Sequence, residues 1–408
     1  MKLATIAVLF LLFVSGLFAV RNHAAQRRLS IVGPVEDLDF GPLKNAPNGH
    51  ISFQKKPNGF RVWVPGRLET SADTHYEGGF LFNIPNWSAD VLSAAQPTFV
   101  LGHFVDEQHP DCGAYVFDRN YAALNAVVPA AEPGTLLAFY DAEYHQECPN
   151  GEPLLSSIGV ASSVDGGVTW QDRRQIIQGL DEANFTADCV TKAQDKAFYD
   201  PTNPRVIDSG ASGPSVVERE VDGAVYLYLY YSDRTPLTGG RDSIYLARAL
   251  RASGGQPGTW QKWNGATWGA IGDQTAAVPV VRPPAGAVLA LQPHVSWNTT
   301  LHAWLMVFKT ANDFEVTTST DGVDWDSPVS LINIDDSLFG FPTFISINGG
   351  ACDLREDRND QNPSSSLHSR NEASQQVTGA EGWLYYSSVP SGKKHYVGHR
   401  IPFRISGD

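Results

Sequence analysis

Asp141, Glu143 and His145 stand at alternate positions in D-A-E-Y-H, at the end of the apolar run 135–140 (T-L-L-A-F-Y). Alternate residues of a strand share one face, so the three side chains would project together. Two carboxyls and an imidazole so grouped suit proton transfer at a C–O bond. One carboxyl must be protonated near neutral pH to supply the leaving oxygen, and the other ionised to activate water or attack carbon. Burial among Phe139, Tyr140 and Tyr144 would raise the Glu143 pKa and suit it to the first role. The same run also fits a solvated strand end that caps the loop to Cys148.

The elements that would position such groups are strands. Residues 224–231, 243–249, 302–309 and 383–387 are β-branched and aromatic, and Gly, Asp, Asn and Pro bound them. Long amphipathic helix patterns are absent, and only 120–128 has a short helical character. Five short apolar strands follow a proline, at Pro42, Pro110, Pro214, Pro293 and Pro342. Proline suits the first position of a strand, where its missing N–H costs no ladder bond. Stronger strands follow the last four. This rhythm predicts an all-β, five-bladed β-propeller over residues 30–408, with six blades as the alternative because 59–105 is long and β-rich.

Residues 163–170 read S-V-D-G-G-V-T-W, and a shorter relative, S-T-D-G-V-D-W, occupies 319–325. In such a turn Asp165 can accept backbone bonds, Gly166 and Gly167 supply positive φ, and Trp170 packs beneath. The separation of Asp165 and Asp321 predicts outer positions on two non-adjacent blades. Residues 349–379 break the rhythm with Asp, Asn, Ser and Gln, either as a disordered surface loop or as a lid over the mouth with Cys352 pinned.

The chain has 408 residues, 42% hydrophobic and 18% charged, which is ample for a large core. Its Gly 37 and Pro 26 suit a turn-rich β protein. A net charge of −14 argues against nucleic acid and anionic membranes as partners. Lys2 and the apolar residues 3–14 read as an export signal over 1–20, cut near Ala19; an uncleaved anchor, with Arg21, Arg27 and Arg28 behind it, is the other reading. Localisation outside the cell follows from the first. Cys112, Cys148, Cys189 and Cys352 lack C-x-x-C spacing, which points away from zinc and redox motifs and toward disulfides. Cys148–Cys189, flanking the 163–170 turn, is the first choice of pairing. Sequons begin at Asn86, Asn184 and Asn298.

The two turns match the Asp-box of sialidases. With the proline-led strands and D-G-A-V-Y-L-Y-L-Y-Y-S-D, the chain resembles the five-bladed propeller superfamily of glycoside hydrolases, which includes arabinanases, xylosidases and fructan-cleaving enzymes. The resemblance implies a pocket at the mouth of a central tunnel, lined by starts of innermost strands and ends of second strands. It implies Asp39 as base or nucleophile, Glu143 as general acid and Asp111 as the residue that tunes it. Asp141, His145, Asp233, Arg234 and His294 would contact substrate. His294 would also be a calcium or water ligand near the axis, or else a satisfied core histidine; no other cofactor is implied. The departures are Ser215, His294 and Thr343, which stand at innermost positions where the arabinanase-like pattern has acids. The implied function is a secreted, monomeric glycoside hydrolase with a carbohydrate partner, furanosides such as arabinan being preferred. The alternatives are a lectin-like propeller and a structural one. Carboxyl pairs separate the first from the second.

Overall fold

The computed structural model describes residues 29–106, 116–145, 154–179, 208–234, 242–273, 277–287, 289–311, 313–333, 338–346, 375–390 and 395–406. The proposed export signal, Asp111, all four cysteines with their expected disulfide, Asn184 and residues 349–374 lie outside this set.

The all-β expectation holds. Among the described residues the strands form four hydrogen-bonded sheets, and the largest, of eight strands, divides where Leu154–Ser156 pair in parallel with Asp208–Gly210, so that the chain runs through five antiparallel units. The chain begins with short strands β1 (Leu29–Ile31), β2 (Glu36–Leu38) and β3 (Leu43–Lys44). The first unit is β4 (Ser52–Lys56), β5 (Gly59–Glu69), β6 (Thr74–Ile84) and β7 (Thr98–Asp106), with a short helix α1 (Ala89–Ala94) before β7. The second is β8 (Tyr121–Pro129), β9 (Leu136–His145), β10 (Leu154–Ser163) and β11 (Gln171–Ile177). The third is β12 (Asp208–Val221), β13 (Ala224–Arg234), β14 (Ser243–Leu250) and β15 (Gln261–Lys262). The fourth is β16 (Leu291–Asn298), β17 (Ala303–Lys309), β18 (Asp313–Ser319) and β19 (Val329–Asn333). The fifth has β20 (Leu338–Ile345), then, after the two-residue strand β21 (Val377–Thr378), β22 (Glu381–Ser388) and β23 (Val397–Ile405). Its outer strand comes from the opposite end of the chain, because β1 and β2 both pair antiparallel with β23.

Apolar side chains on the two faces of each unit fill the crevices to its neighbours. Trp63 and Leu81 pack with Leu124 and Tyr140 between units one and two. Phe139 and Val160 meet Leu227 and Tyr231 between two and three. Tyr228 and Leu246 meet Val295 and Met306 next, and Leu305 and Val316 meet Phe344 and Leu384 after that. A fifth cluster joins Ile345 and Tyr385 of the last unit to Phe53, Val62 and Phe80 of the first. Each fully buried side chain of this size contributes roughly 1.5–3 kcal/mol of transfer free energy.

Two sequence expectations need correction, and a third holds only in part. β2 lies against β23 at the outer edge of the fifth unit, whereas Pro42 leads into β3, which lies with β4 along the same side of β5 in the first unit. Residues 59–105 supply the remaining strands of that unit, so they form no sixth. The stretch 120–128 is strand β8, buried over its first eight residues. An innermost strand meets protein on both faces, which removes the alternation that marks a half-buried strand.

The glycine-rich turn at 163–170 joins β10 to β11, and the one at 319–325 joins β18 to β19, in the second and fourth units. Asp165 Oδ1 accepts from the backbone of Val168 and Thr169, both at 3.0 Å, and Oδ2 from Thr169 Oγ1 at 2.7 Å. Asp321 Oδ1 does the same for Val323 and Asp324. Each turn is clasped by the preceding unit. Arg61 donates to Gly166 O, and Trp63 Nε1 to Gly167 O at 3.2 Å. Arg219 donates to Asp321 O, and the Tyr230 hydroxyl to Gly322 O at 2.6 Å. Closeness to Trp63 makes Gly167 obligatory, since a Cβ there would lie 2.5 Å from the indole. Gly134 has the same φ of 84° with nothing within 4 Å of its virtual Cβ. Gly167→Ala should therefore lower unfolding free energy by roughly 1–3 kcal/mol more than Gly134→Ala, because overpacking adds to the shared backbone strain. Urea denaturation of both variants measures this, and equal losses would count against the clasp.

Candidate active site

Innermost strands β12, β16 and β20 share one device. Each contains a proline inside a register shift, at Gly213-Pro214, Gln292-Pro293 and Phe341-Pro342. The residue before each proline has positive φ, 60°, 55° and 54° respectively. The bulge takes proline out of the ladder and leaves its predecessor's N–H to be met by a side chain. Asp141 Oδ2 accepts from Gly213 N at 3.2 Å, Ser232 Oγ from Gln292 N at 2.6 Å, and Gln292 Oε1 from Phe341 N at 3.0 Å. In each case the acceptor belongs to the preceding unit.

The residue after each proline faces the next unit. Ser215 Oγ accepts from Val295 N at 2.9 Å, His294 Nδ1 from Phe344 N at 3.4 Å, and Thr343 Oγ1 from Ile51 N at 3.4 Å. His50 N in turn donates to Asn125 Oδ1 at 2.7 Å. The positions that lack acids are thus occupied by acceptors for main-chain N–H groups. His294 is 2% exposed and pairs with His50, ring centroids 5.8 Å apart. Burial pushes the His50 pKa down to about 3, and burial together with His50 holds His294 well below its ordinary value. Calcium takes oxygen ligands, so this imidazole pair does not fit the calcium role. Among the described residues no group of three or more His, Cys, Asp or Glu could hold a metal.

Residues 375–379 tie together four inner strands, β4, β8, β12 and β16. Gln375 Oε1 accepts from Phe53 N and its Nε2 donates to Val127 O. Gln376 Oε1 accepts from Glu218 N, and its carbonyl from Trp297 N. Thr378 Oγ1 accepts from Asn298 Nδ2 at 3.0 Å. This end of the polar insertion is neither a loose surface loop nor a lid on the mouth.

The mouth lies at the opposite end, where second strands finish beside the starts of inner strands. Register puts Glu143 opposite Tyr121 and Asp141 opposite Ala123. Asp233 faces Ala211, Arg234 faces Gly210, and Lys309 faces Leu291. Asp141 and Asp233 are buried, at 4% and 0% exposure, whereas Glu143 and Arg234 are half-buried. The Tyr121 hydroxyl donates to Asn48 O at 3.0 Å. Burial, then the charges of Glu77, Glu143 and Asp141, hold its pKa well above the ordinary value. Carboxylates of the first two units thus act on the charge of one phenol, with Glu143 directly across the ladder from it. On the far side, burial and then Arg234 push Lys309 down to about 8. Glu77, Asp141 and Glu143 stand on units one and two, and Arg234 and Lys309, with the buried Asp233, on units three and four.

Of the residues expected at the site, Glu143, Asp141, Asp233 and Arg234 share this mouth, and the backbone of His145 ends β9 there. His294 lies on the axis below. Asp39 does not join them. It is exposed, and its carboxylate accepts from Gly41 N at 2.9 Å and Ser93 Oγ at 3.3 Å, which braces the turn between β2 and β3. Tyr121, Glu77 and His50 were missed. Their strands are recognisable, but which strand is innermost is set by pairing across the chain. Asp37, His399 and Ser388 also form a chain, with His399 Nδ1 2.9 Å from Asp37 and Nε2 2.6 Å from Ser388 Oγ. Its polarity is wrong for a nucleophilic triad. The hydroxyl belongs to a residue 4% exposed, and the carboxylate side chain is 81% exposed.

The two hub histidines predict an acid-sensitive fold. Their folded pKa values lie below the unfolded 6.5, so the unfolded chain binds more protons and stability is lost as pH falls below about 6.5. Each contributes a slope of up to about 1.4 kcal/mol per pH unit. His294→Asn keeps an acceptor for Phe344 without a titrating group. Denaturation at pH 7 and pH 5 should show a smaller difference in that variant, and an unchanged difference would overturn the assignment.

No protein-family model and no curated protein matches the sequence. Among solved structures, the chain is similar to the alpha-L-arabinofuranosidase PaAbf62A from Podospora anserina, in complex with cellotriose, at 10% identity over 92% of this chain and 96% of that one, TM-score 0.46. It is similar to a GH43_1 enzyme from Xanthomonas citri at 9% identity over 93% and 92%, TM-score 0.47. It is similar to Zg3597, a family 117 glycoside hydrolase of Zobellia galactanivorans, at 10% identity over 93% and 92%, TM-score 0.46.

Proposed function

We propose that the five units are the blades of a closed propeller, and that the chain is a glycoside hydrolase acting at the mouth. The observation that carries this reading is the placement of Glu143, half-buried at the end of β9, directly across from the buried Tyr121, whose pKa the charges of both Glu77 and Glu143 raise. Two carboxyls are the minimum that glycoside hydrolysis requires. Glu143 is assigned as general acid, at the end of β9 beside the axis. Glu77 is assigned as the ionised partner that activates water or attacks carbon. Asp141 holds Gly213 N and fixes the wall between units two and three. Arg234 and Lys309 orient the sugar from the opposite wall. Export from the cell, directed by residues 1–20, belongs to the same reading.

A second reading, a carbohydrate-binding propeller without catalysis, is favoured by one observation. The described starts of the inner strands offer His50, Tyr121, Ser215, His294 and Thr343 in place of acids. One experiment separates the two. The purified chain is assayed on a panel of polysaccharides and aryl glycosides, including arabinan and xylan. Activity should appear on at least one, and Glu143→Gln should lower its rate at least about a hundredfold, the usual worth of general acid catalysis. Binding without turnover on every substrate would favour the second reading.

A further inference from the structure

The face opposite the mouth carries a groove between the fifth and first units. Its volume is about 730 Å³, inside the range of about 300–1,000 Å³ typical of small-molecule sites. Second strands start on this face, so Phe60 of β5 and Trp383 of β22 line it, together with Trp87. Both indoles are half-buried and fixed. Arg400, held by two bonds to Glu36, stacks 4.0 Å over Trp383. Trp87 Nε1 donates to the Tyr385 hydroxyl at 2.6 Å. The rim holds Asn86 and the pair Glu381–Arg404, joined at 2.9 Å, with side-chain exposures of 66% and 59%.

We propose that this groove is a saccharide-binding site separate from the mouth, taking a neutral glycan chain. The chemistry on its walls selects that class. Rigid aromatic faces suit the C–H faces of sugar rings, because ordering them costs little entropy on binding. An amide, a carboxylate and a guanidinium supply both acceptors and donors for hydroxyls. Glu381 and Arg404 cancel in charge, so the groove carries no excess of either sign, and the overall charge of −14 repels anionic polymers. The site would hold a glycan chain on the protein while the mouth works on another segment.

Affinity electrophoresis tests this, with protein made in bacteria so that no glycan on Asn86 occupies the groove. The probes are native gels containing arabinan, xylan or a β-glucan, with polygalacturonate as the anionic control. Wild type and Glu143→Gln should be retarded equally by at least one neutral polysaccharide. Trp383→Ala should reduce that retardation at least tenfold. Because Trp383 also packs against the core between the fifth and first units, the double variant Glu381→Ala/Arg404→Ala provides the same test at exposed positions and should weaken retardation several-fold with an unchanged melting temperature. Three results would overturn the proposal: no retardation by any neutral polysaccharide, retardation that survives all groove substitutions, or retardation by polygalacturonate alone. Failure of the catalytic reading looks different, as retardation without turnover.

Discussion

Main-chain N–H groups near the axis impose the strictest demand on this fold. Inner strands meet there, and the bulges of β12, β16 and β20 leave donors that their own ladders do not use. A buried donor without an acceptor costs about 1–3 kcal/mol, so neighbouring strands must supply acceptors to one another. They do so from one unit to the next along the chain. Asp141, Ser232 and Gln292 serve the bulges of the units that follow them, and Ser215, His294 and Thr343 serve the next strands. The apolar crevices hold the units together without direction, whereas these bonds set the angle at which each unit meets its neighbour.

That demand explains the composition of the mouth. Residues beside the axis are committed to holding the ring, which leaves the ends of second strands, one layer outward, to carry Glu143, Arg234 and Lys309. Asp141 lies at the boundary and serves the ring. Chemistry and architecture thus compete for the same few positions, and in this chain the architecture has taken the innermost ones.

Local features were readable from the sequence. The glycine-rich turns, the β-branched strands and the prolines before Ser215, His294 and Thr343 depend on short-range backbone chemistry, and the structure keeps them. D-A-E-Y-H was readable for the same reason, since alternation along β9 is local. What failed depends on contacts distant in sequence. Asp39 looked like the start of a first inner strand, but it stands between β2, which pairs with β23 more than 350 residues away, and β3, and its carboxylate is engaged by Ser93, which is 54 residues away. Residues 120–128 looked helical because burial on both faces hides the strand period. Gln375 and Gln376 looked like part of a polar loop, because nothing local reveals that four inner strands bond to them.

The pairing of β1 and β2 with β23 also bears on how the protein is made. Of the described strands, β1 and β2 leave the ribosome first and their partner β23 last. Until residues 397–405 emerge, β1 and β2 have no ladder to join, and the face of the first unit that packs on Ile345 and Tyr385 stays open. The first four units can associate during synthesis, but the fifth must wait for β23. Termination before β23 would therefore leave β1, β2 and β22 with unpaired edges, the kind of surface on which chains aggregate.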